Sequence, residues 1–161
     1  MTDGPHVRTL FIDADACPVT REAIDLARSR GIPVVLVANG TQNLERYTTR
    51  NGVEAIQVSS GADAADFAVI ERLQPGDAVV TQDIGLAAMV LGRGAAAVSP
   101  RGRQFHLATI DAEMHIRHEE KKLRRAGGRH GGPRPFTDED REHFSEVIER
   151  VLRQQVAGGA T

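Results

Sequence analysis

The stretch that most limits what this chain can become is Thr9-Leu10-Phe11-Ile12-Asp13-Ala14-Asp15-Ala16-Cys17-Pro18. Its short apolar run reads as a buried strand. It ends in two carboxylates one residue apart, a small-residue turn and a proline suited to the first position of a helix. Two acids at a strand end are costly unless they are used. In an open α/β sheet the ligand cleft lies at the carboxyl ends of the strands, so Asp13 and Asp15 become candidate site residues.

The chain beyond repeats the same β–α step. Residues 18–30 carry Val19, Ala23, Ile24, Leu26 and Ala27 at helical spacing, with Gly31 as a stop. Residues 33–38 form a continuous apolar run typical of a strand covered on both faces, ending at Asn39. Residues 41–51 are polar and mixed; the single tyrosine, Tyr47, stays open between stacking on a ligand and capping the core. Residues 53–58 alternate at period two like a strand, and a helix over 62–73 places Asp63 and Asp66 on one face of its first turn. A turn at Pro75-Gly76-Asp77 precedes a short strand that reaches Thr81 and ends in Gln82-Asp83; a helix over 84–91 and a last strand over 95–98 follow. This alternation predicts an α/β fold with a mostly parallel sheet and helices on both faces.

After residue 100 the character changes. Residues 101–105 read as a basic loop or hairpin piece, and 110–125 as a helix with Met114, Ile116 and Leu123 inward. The glycines and prolines of 126–135 exclude regular structure there. Thr137-Asp138-Glu139-Asp140 has a near-capping-box layout and opens a helix with Phe144, Val147, Ile148, Val151 and Leu152 along one stripe; the tail frays from 157. At 161 residues a single domain is expected, 1–161, with its core over about 7–100 and a basic and helical C-terminal extension over 101–157.

Charge is unevenly spread. Residues 1–100 hold 8 Lys+Arg against 12 Asp+Glu, residues 101–135 hold 9 against 4, and residues 136–161 hold 3 against 6. An acidic body followed by a basic segment suggests a polyanion contact beside an acid-lined site, although a basic run is often only a solvated face. The lone Cys17 excludes an internal disulfide framework and multi-cysteine metal knuckles, and no apolar run approaches a membrane span. A reducing, cytoplasmic setting without membrane contact is expected.

The strand-end and first-turn acids are Asp13, Asp15, Asp63, Asp66 and Asp83. Adjacent strand ends lie about 5 Å apart, so these acids can share one cleft. Oxygen-only donors suit Mg²⁺ or Mn²⁺, and metals so held can activate water for phosphodiester cleavage. Each acid also has a plainer reading. Asp13, Asp15, Asp63 and Asp83 each precede a helix and are natural caps, while Asp66 suits solvent or an outer position. Cys17 could be a helix-start nucleophile, but no histidine lies near it in sequence. His115 and His118 lack a third partner for zinc.

Asp13-Ala14-Asp15-Ala16-Cys17-Pro18, Val37-Ala38-Asn39, Gly61-Ala62-Asp63-Ala64-Ala65-Asp66, Val80-Thr81-Gln82-Asp83-Ile84, Pro100-Arg101-Gly102 and Gly131-Gly132-Pro133 together resemble, in order, the YaiI/YqxD family of uncharacterised bacterial proteins. The resemblance spans nearly the whole chain. It implies a PIN-like three-layer α/β/α sandwich whose acids bind Mg²⁺ or Mn²⁺ for nuclease chemistry. By that pattern Asp13 is the first-strand acid, Asp63 or Asp66 the helix acid, and Thr81 with Asp83 a Thr-x-Asp element; Asp15 belongs to the family's Asp-Ala-Asp signature. Relatives commonly read Pro where this chain has Gly85, and PIN nucleases often carry a further acid there.

The resulting expectation is a divalent-metal-dependent nuclease on RNA. Asp13, Asp15, Asp63 and Asp83 are its catalytic candidates, Asp13, Asp63, Asp66 and Asp83 its metal ligands, and Asn39 and Thr81 further polar candidates. Arg101, Arg103, Lys121, Lys122, Arg124, Arg125 and Arg129 are its phosphate-contacting candidates. One alternative is a non-catalytic nucleic-acid- or protein-binding module on a nuclease fold, which the absent acid at position 85 keeps open. The other is a phosphohydrolase of the haloacid-dehalogenase kind, suggested by Asp-x-Asp after a strand; its only lysines are Lys121 and Lys122, in a basic run.

Overall fold

The computed structural model describes residues 8–15, 17–39, 44–59, 61, 63–127 and 134–158, with side chains through 154. Its strands are β1 (Leu10–Asp13), β2 (Val34–Asn39), β3 (Val53–Val58), β4 (Ala78–Val80) and β5 (Ala96–Val98). The helices are α1 (Thr20–Ser29), α2 (Glu45–Thr48), α3 (Ala64–Arg72), α4 (Ile84–Gly92), α5 (Leu107–Arg125) and α6 (Asp138–Gly158). The strands pair in parallel in the order β3-β2-β1-β4-β5. Strand order therefore reverses between β1 and β4, and Asp13 ends the strand at that reversal.

The period of two along each strand sorts side chains between two apolar layers. Leu10, Ile12, Leu36, Ala38, Val80 and Val98 pack with Ala23, Ile24 and Ala27 of α1 and with Phe144, Val147, Ile148, Val151 and Leu152 of α6. Phe11, Val35, Val37, Val79 and Ala97 pack with Val69 of α3, Leu86, Ala87 and Val90 of α4, and Ile110 of α5. The result is the expected three-layer α/β/α sandwich. The mixed segment 41–51, which carries no clear period, contains the one-turn helix α2.

At the amino edge Asp77 is buried and accepts from the backbone N–H of Thr9 at 2.9 Å and of Gln74 at 2.8 Å, joining β1 to the turn before β4. Past β5 the chain turns back so that Gln104 bridges Val98 in antiparallel sense and Phe105 donates its N–H to Ala97 at 2.9 Å. The 101–105 stretch is thus a hairpin piece, as expected.

The start of α6 is fastened at the carboxyl edge. Thr137 and Asp140 cap reciprocally, the Asp140 carboxylate accepting from Thr137 N at 3.0 Å and the Thr137 hydroxyl from Asp140 N at 3.1 Å. Arg101 and Arg134 both donate to Asp140 at 2.9 Å. Gly102 sits at φ +88° where a Cβ would lie 2.8 Å from the backbone nitrogen of Phe144, so only glycine lets this turn touch α6.

One expectation fails in α5. Met114, Ile116 and Leu123, read as inward, are 38%, 56% and 55% exposed, and Ile110 is the buried residue of the helix. Only the first turns of α5 lie on α4; its C-terminal half projects into solvent, so those side chains have nothing to pack against. Among the described residues no helix is long and apolar enough to cross a membrane.

Candidate active site

The register that pairs Ile12 with Val80 sets Asp13 beside Thr81 at the carboxyl edge. Both continue the strand parity of Phe11 and Val79, so both belong to the face covered by α3 and α4. The Thr81 hydroxyl donates to Asp13 Oδ2 at 2.9 Å and accepts from the backbone N–H of Asp83 at 3.0 Å. A single hydroxyl thereby fixes the first-strand acid relative to the start of α4.

Asp83 is the N-cap of α4. Its Oδ1 accepts from Gly85 N at 2.8 Å and Leu86 N at 3.3 Å, so the capping reading holds for this acid. Asp63 occupies the N-cap position of α3 but makes no side-chain cap bond. Asp66 stands in the first turn of α3. Both helices begin at the carboxyl edge, because helices that return between parallel strands start where those strands end.

These acids lie within one another's electrostatic reach. Burial, then the charges of Asp83, Asp13 and Asp63, push the Asp66 carboxyl from the ordinary 3.8 to about 6. Burial also raises the Asp13 carboxyl, against the lowering hydrogen bond from Thr81 and with smaller contributions from Asp15 and Asp83. Asp66, read from its sequence position as solvated or outer, thus belongs to the cluster. Among the described residues, no group of three or more His, Cys, Asp or Glu side chains is already gathered as a metal cage. The donors are oxygens, which suit a hard cation that keeps water in its shell.

Asp15 does not cap the following helix. Its Oδ2 accepts from the backbone N–H of Asn39 at 2.8 Å, tying the turn after β1 to the end of β2. Asp13 therefore engages the β4 side of β1 and Asp15 the β2 side, and Asn39 enters through its backbone.

The surroundings of Cys17 favour the neutral thiol over the thiolate. Burial raises its thiol, more than hydrogen bonds from Thr20 and Val19 lower it, and the charges of Asp13 and Glu22 push the same way. Cys17 lines a cavity of about 350 Å³ with Ala14, Pro18, Thr20, Leu44, Arg46 and Tyr47. The Arg46 guanidinium lies over the Tyr47 ring at 4.8 Å. Tyr47 packs in part on the core, in line with the core-capping reading of its sequence position. In the sequence the adjacent Arg46-Tyr47 pair is the only pointer to this cavity, whose walls come from segments far apart in the chain.

The basic candidates divide. Arg101 holds Asp140, donates to the carbonyls of Arg134 and Pro135, and lies over the Phe136 ring at 5.7 Å, so its guanidinium is engaged in docking α6. Arg103 pairs with Glu113 and lies 5.9 Å over Phe105. Lys121, Lys122, Arg124 and Arg125 are exposed on the free end of α5, with Lys122 3.8 Å from Glu119. Arg129 lies outside the described residues, as does the rest of 128–133 within the glycine-rich loop.

Comparison with known proteins follows the same span. A "UPF0178 protein" of Xanthomonas campestris pv. campestris is 47% identical over 155 residues, covering 95% of each chain. A "UPF0178 protein" of Exiguobacterium sibiricum is 41% identical, covering 91% of this chain and 97% of its own. Among solved structures, the crystal structure of Rae1 (YacP) from Bacillus subtilis aligns with a TM-score of 0.40 at 19% identity, over 91% of each chain. The family described as "Uncharacterized BCR, YaiI/YqxD family" matches residues 11–154, and the chain belongs to that family.

Proposed function

We propose that this protein is a divalent-metal-dependent phosphodiesterase that cleaves RNA. The observation that carries the reading is the convergence of Asp13, Asp63, Asp66 and Asp83 at the carboxyl edge, where strand order reverses and open α/β sheets bind their ligands. Four carboxylates kept together against mutual repulsion call for a cation. Mg²⁺ or Mn²⁺ held there would polarise a phosphodiester and generate hydroxide from bound water. Such an ion takes one or two direct carboxylates and completes its shell with water and substrate phosphate, so a preformed cage of three is not required.

The chain's own residues have separable tasks in this reading. Thr81 fixes the carboxylate of Asp13 through Oδ2 and leaves Oδ1 for a cation. Asp83 uses Oδ1 as the helix cap, so its Oδ2 would be the oxygen offered to a cation. Asp15 stiffens the turn against β2. Lys121, Lys122, Arg124, Arg125 and Arg129 supply sequence-independent attraction for phosphates.

Calorimetric titration of Mn²⁺ into the wild type and Asp13→Asn tests the site, and cleavage of a single-stranded RNA beside a DNA of the same sequence tests the reaction. Loss of the Mn²⁺ isotherm in Asp13→Asn and metal-dependent cleavage of the RNA are the expected results. An unchanged isotherm rejects the site. One observation favours a second reading, binding without cleavage: position 85 is Gly where a further acid would stand in many nucleases of this type. RNA binding with steep salt dependence and no cleavage with any divalent ion would establish it.

A further inference from the structure

We propose that the cavity between α1 and α2 is a nucleobase subsite, which receives a base of the same RNA strand whose phosphate lies at the acid cluster. This inference rests on the phosphodiesterase reading. Its geometry follows from β1. Asp13 continues the parity of Phe11 and faces the α3/α4 side, whereas Ala14 continues that of Ile12 and lies among the residues on the α1/α6 side. The cleft and the cavity therefore flank a single strand end, one on each side of the sheet edge, and Cys17 in the cavity wall is near enough to feel the charge of Asp13.

The lining matches a flat, partly polar ring. Leu44, Ala14 and Pro18 supply apolar walls, Thr20 and Cys17 small polar atoms, and Tyr47 a half-buried ring that carries the Arg46 guanidinium on one face. The Thr20 hydroxyl already donates to the Cys17 carbonyl at 3.2 Å, which leaves its lone pairs as acceptors for an exocyclic amine. A volume of about 350 Å³ admits one base. Arg46 can turn from the ring toward the connecting phosphate, and stacking on an aromatic ring tolerates any base, so the subsite would add affinity without sequence choice.

The chain carries its own reporter. It has one tyrosine and no tryptophan, so intrinsic tyrosine emission reports on Tyr47 alone. The probe is an end-labelled 12-nucleotide single-stranded RNA of mixed sequence, titrated into the full chain in EDTA so that no cleavage occurs. Label anisotropy and tyrosine emission are followed together. Emission should be quenched with the same midpoint as the anisotropy rise. Tyr47→Leu should weaken binding about tenfold, as expected for one lost base stack, while Tyr47→Phe keeps the affinity.

Anisotropy saturation with unchanged tyrosine emission, or equal affinity in a Tyr47→Leu protein of native circular dichroism, overturns the subsite. Absence of any RNA binding overturns it as well. Mn²⁺-dependent cleavage by the wild type is scored separately. Cleavage without quenching leaves the acid site standing and removes the subsite, whereas quenching without cleavage supports the subsite and removes the nuclease.

Discussion

Replacing Asp66 with Asn should stabilise the metal-free protein, although it removes a charge from the first turn of a helix. The Asp66 carboxyl is raised from 3.8 to about 6 in the folded chain, chiefly by burial and then by Asp83, Asp13 and Asp63. At about 1.4 kcal/mol per pH unit that gap sets a ceiling of about 3 kcal/mol on the cost of ionising it in place. Asp66 is only half-buried, and solvent screening reduces the cost to about 1–1.5 kcal/mol. Asn forgoes about 0.5 kcal/mol of attraction to the start of α3. A net gain of about 0.5–1 kcal/mol remains, which corresponds to a rise in Tm of about 1–4 °C for a chain of this size.

The pH dependence fixes the mechanism. The folded state binds this proton more tightly than the unfolded chain, so the penalty is absent below pH 3.8, grows between 3.8 and about 6, and is complete above that. Melting curves in EDTA should therefore show Asp66→Asn above the wild type at pH 7.5 and level with it near pH 4. Excess Mn²⁺ should reverse the order at pH 7.5, because only the wild type gains fully from binding. A variant less stable than the wild type at pH 7.5 in EDTA, or a difference independent of pH, refutes the electrostatic account.

Three further outcomes are expected. Asp77→Ala leaves the N–H groups of Thr9 and Gln74 without their acceptor, at about 1–3 kcal/mol each, and a urea titration should show a loss of about 2–5 kcal/mol with no change in Mn²⁺ affinity. Hydrogen bonds from Arg134, chiefly, hold the Asp140 carboxyl well below the usual carboxylate range. Its contribution is therefore present above pH 3.8 and fades as pH falls below that, so the wild type should lose stability between about pH 4 and 2 more steeply than Asp140→Asn in acid-titrated urea midpoints. Changing Lys121, Lys122, Arg124 and Arg125 to Gln should weaken RNA binding evenly across sequences and flatten its salt dependence by up to about 3 in the log–log slope; an unchanged slope would exclude the free end of α5 from the interface.

Most of the architecture was legible because its strands are short, apolar and separated by helical spacing. Val34 to Ala38 is buried throughout, as a strand covered on both faces must be, and with right-handed crossovers helices reach both faces of a parallel sheet only where the strand order reverses. The stripe of α6 was legible for a related reason: Phe144, Val147, Ile148, Val151 and Leu152 fall on one side of a helix, and α1 and the sheet cover that side. In α5 the same logic fails. At about 100° per residue Ile116 and Leu123 lie about 120° and 140° round the helix from Ile110 and turn away from α4, while Met114 shares the side of Ile110 and is still 38% exposed, one turn beyond it. Apolar residues on a helix name a face only when a neighbour exists to cover it, and sequence does not supply the neighbour.

The site divides along the same line between what is local and what is lateral. Asp13 could be placed from its own strand, and Asp83 from its position before an apolar helix. The bond from Thr81 to Asp13 depends on the register of β1 with β4, and the bond from Asn39 N to Asp15 on the spacing of β1 and β2; neither is written in either segment alone. Gly85 shows how a small departure acts through this geometry. A proline there would have no N–H, whereas Gly85 donates one to Asp83 Oδ1 at 2.8 Å. A Cβ at this position would lie 3.2 Å from that oxygen. Together with the Leu86 N–H at 3.3 Å, the Gly85 bond holds Oδ1 of Asp83 on the start of the helix.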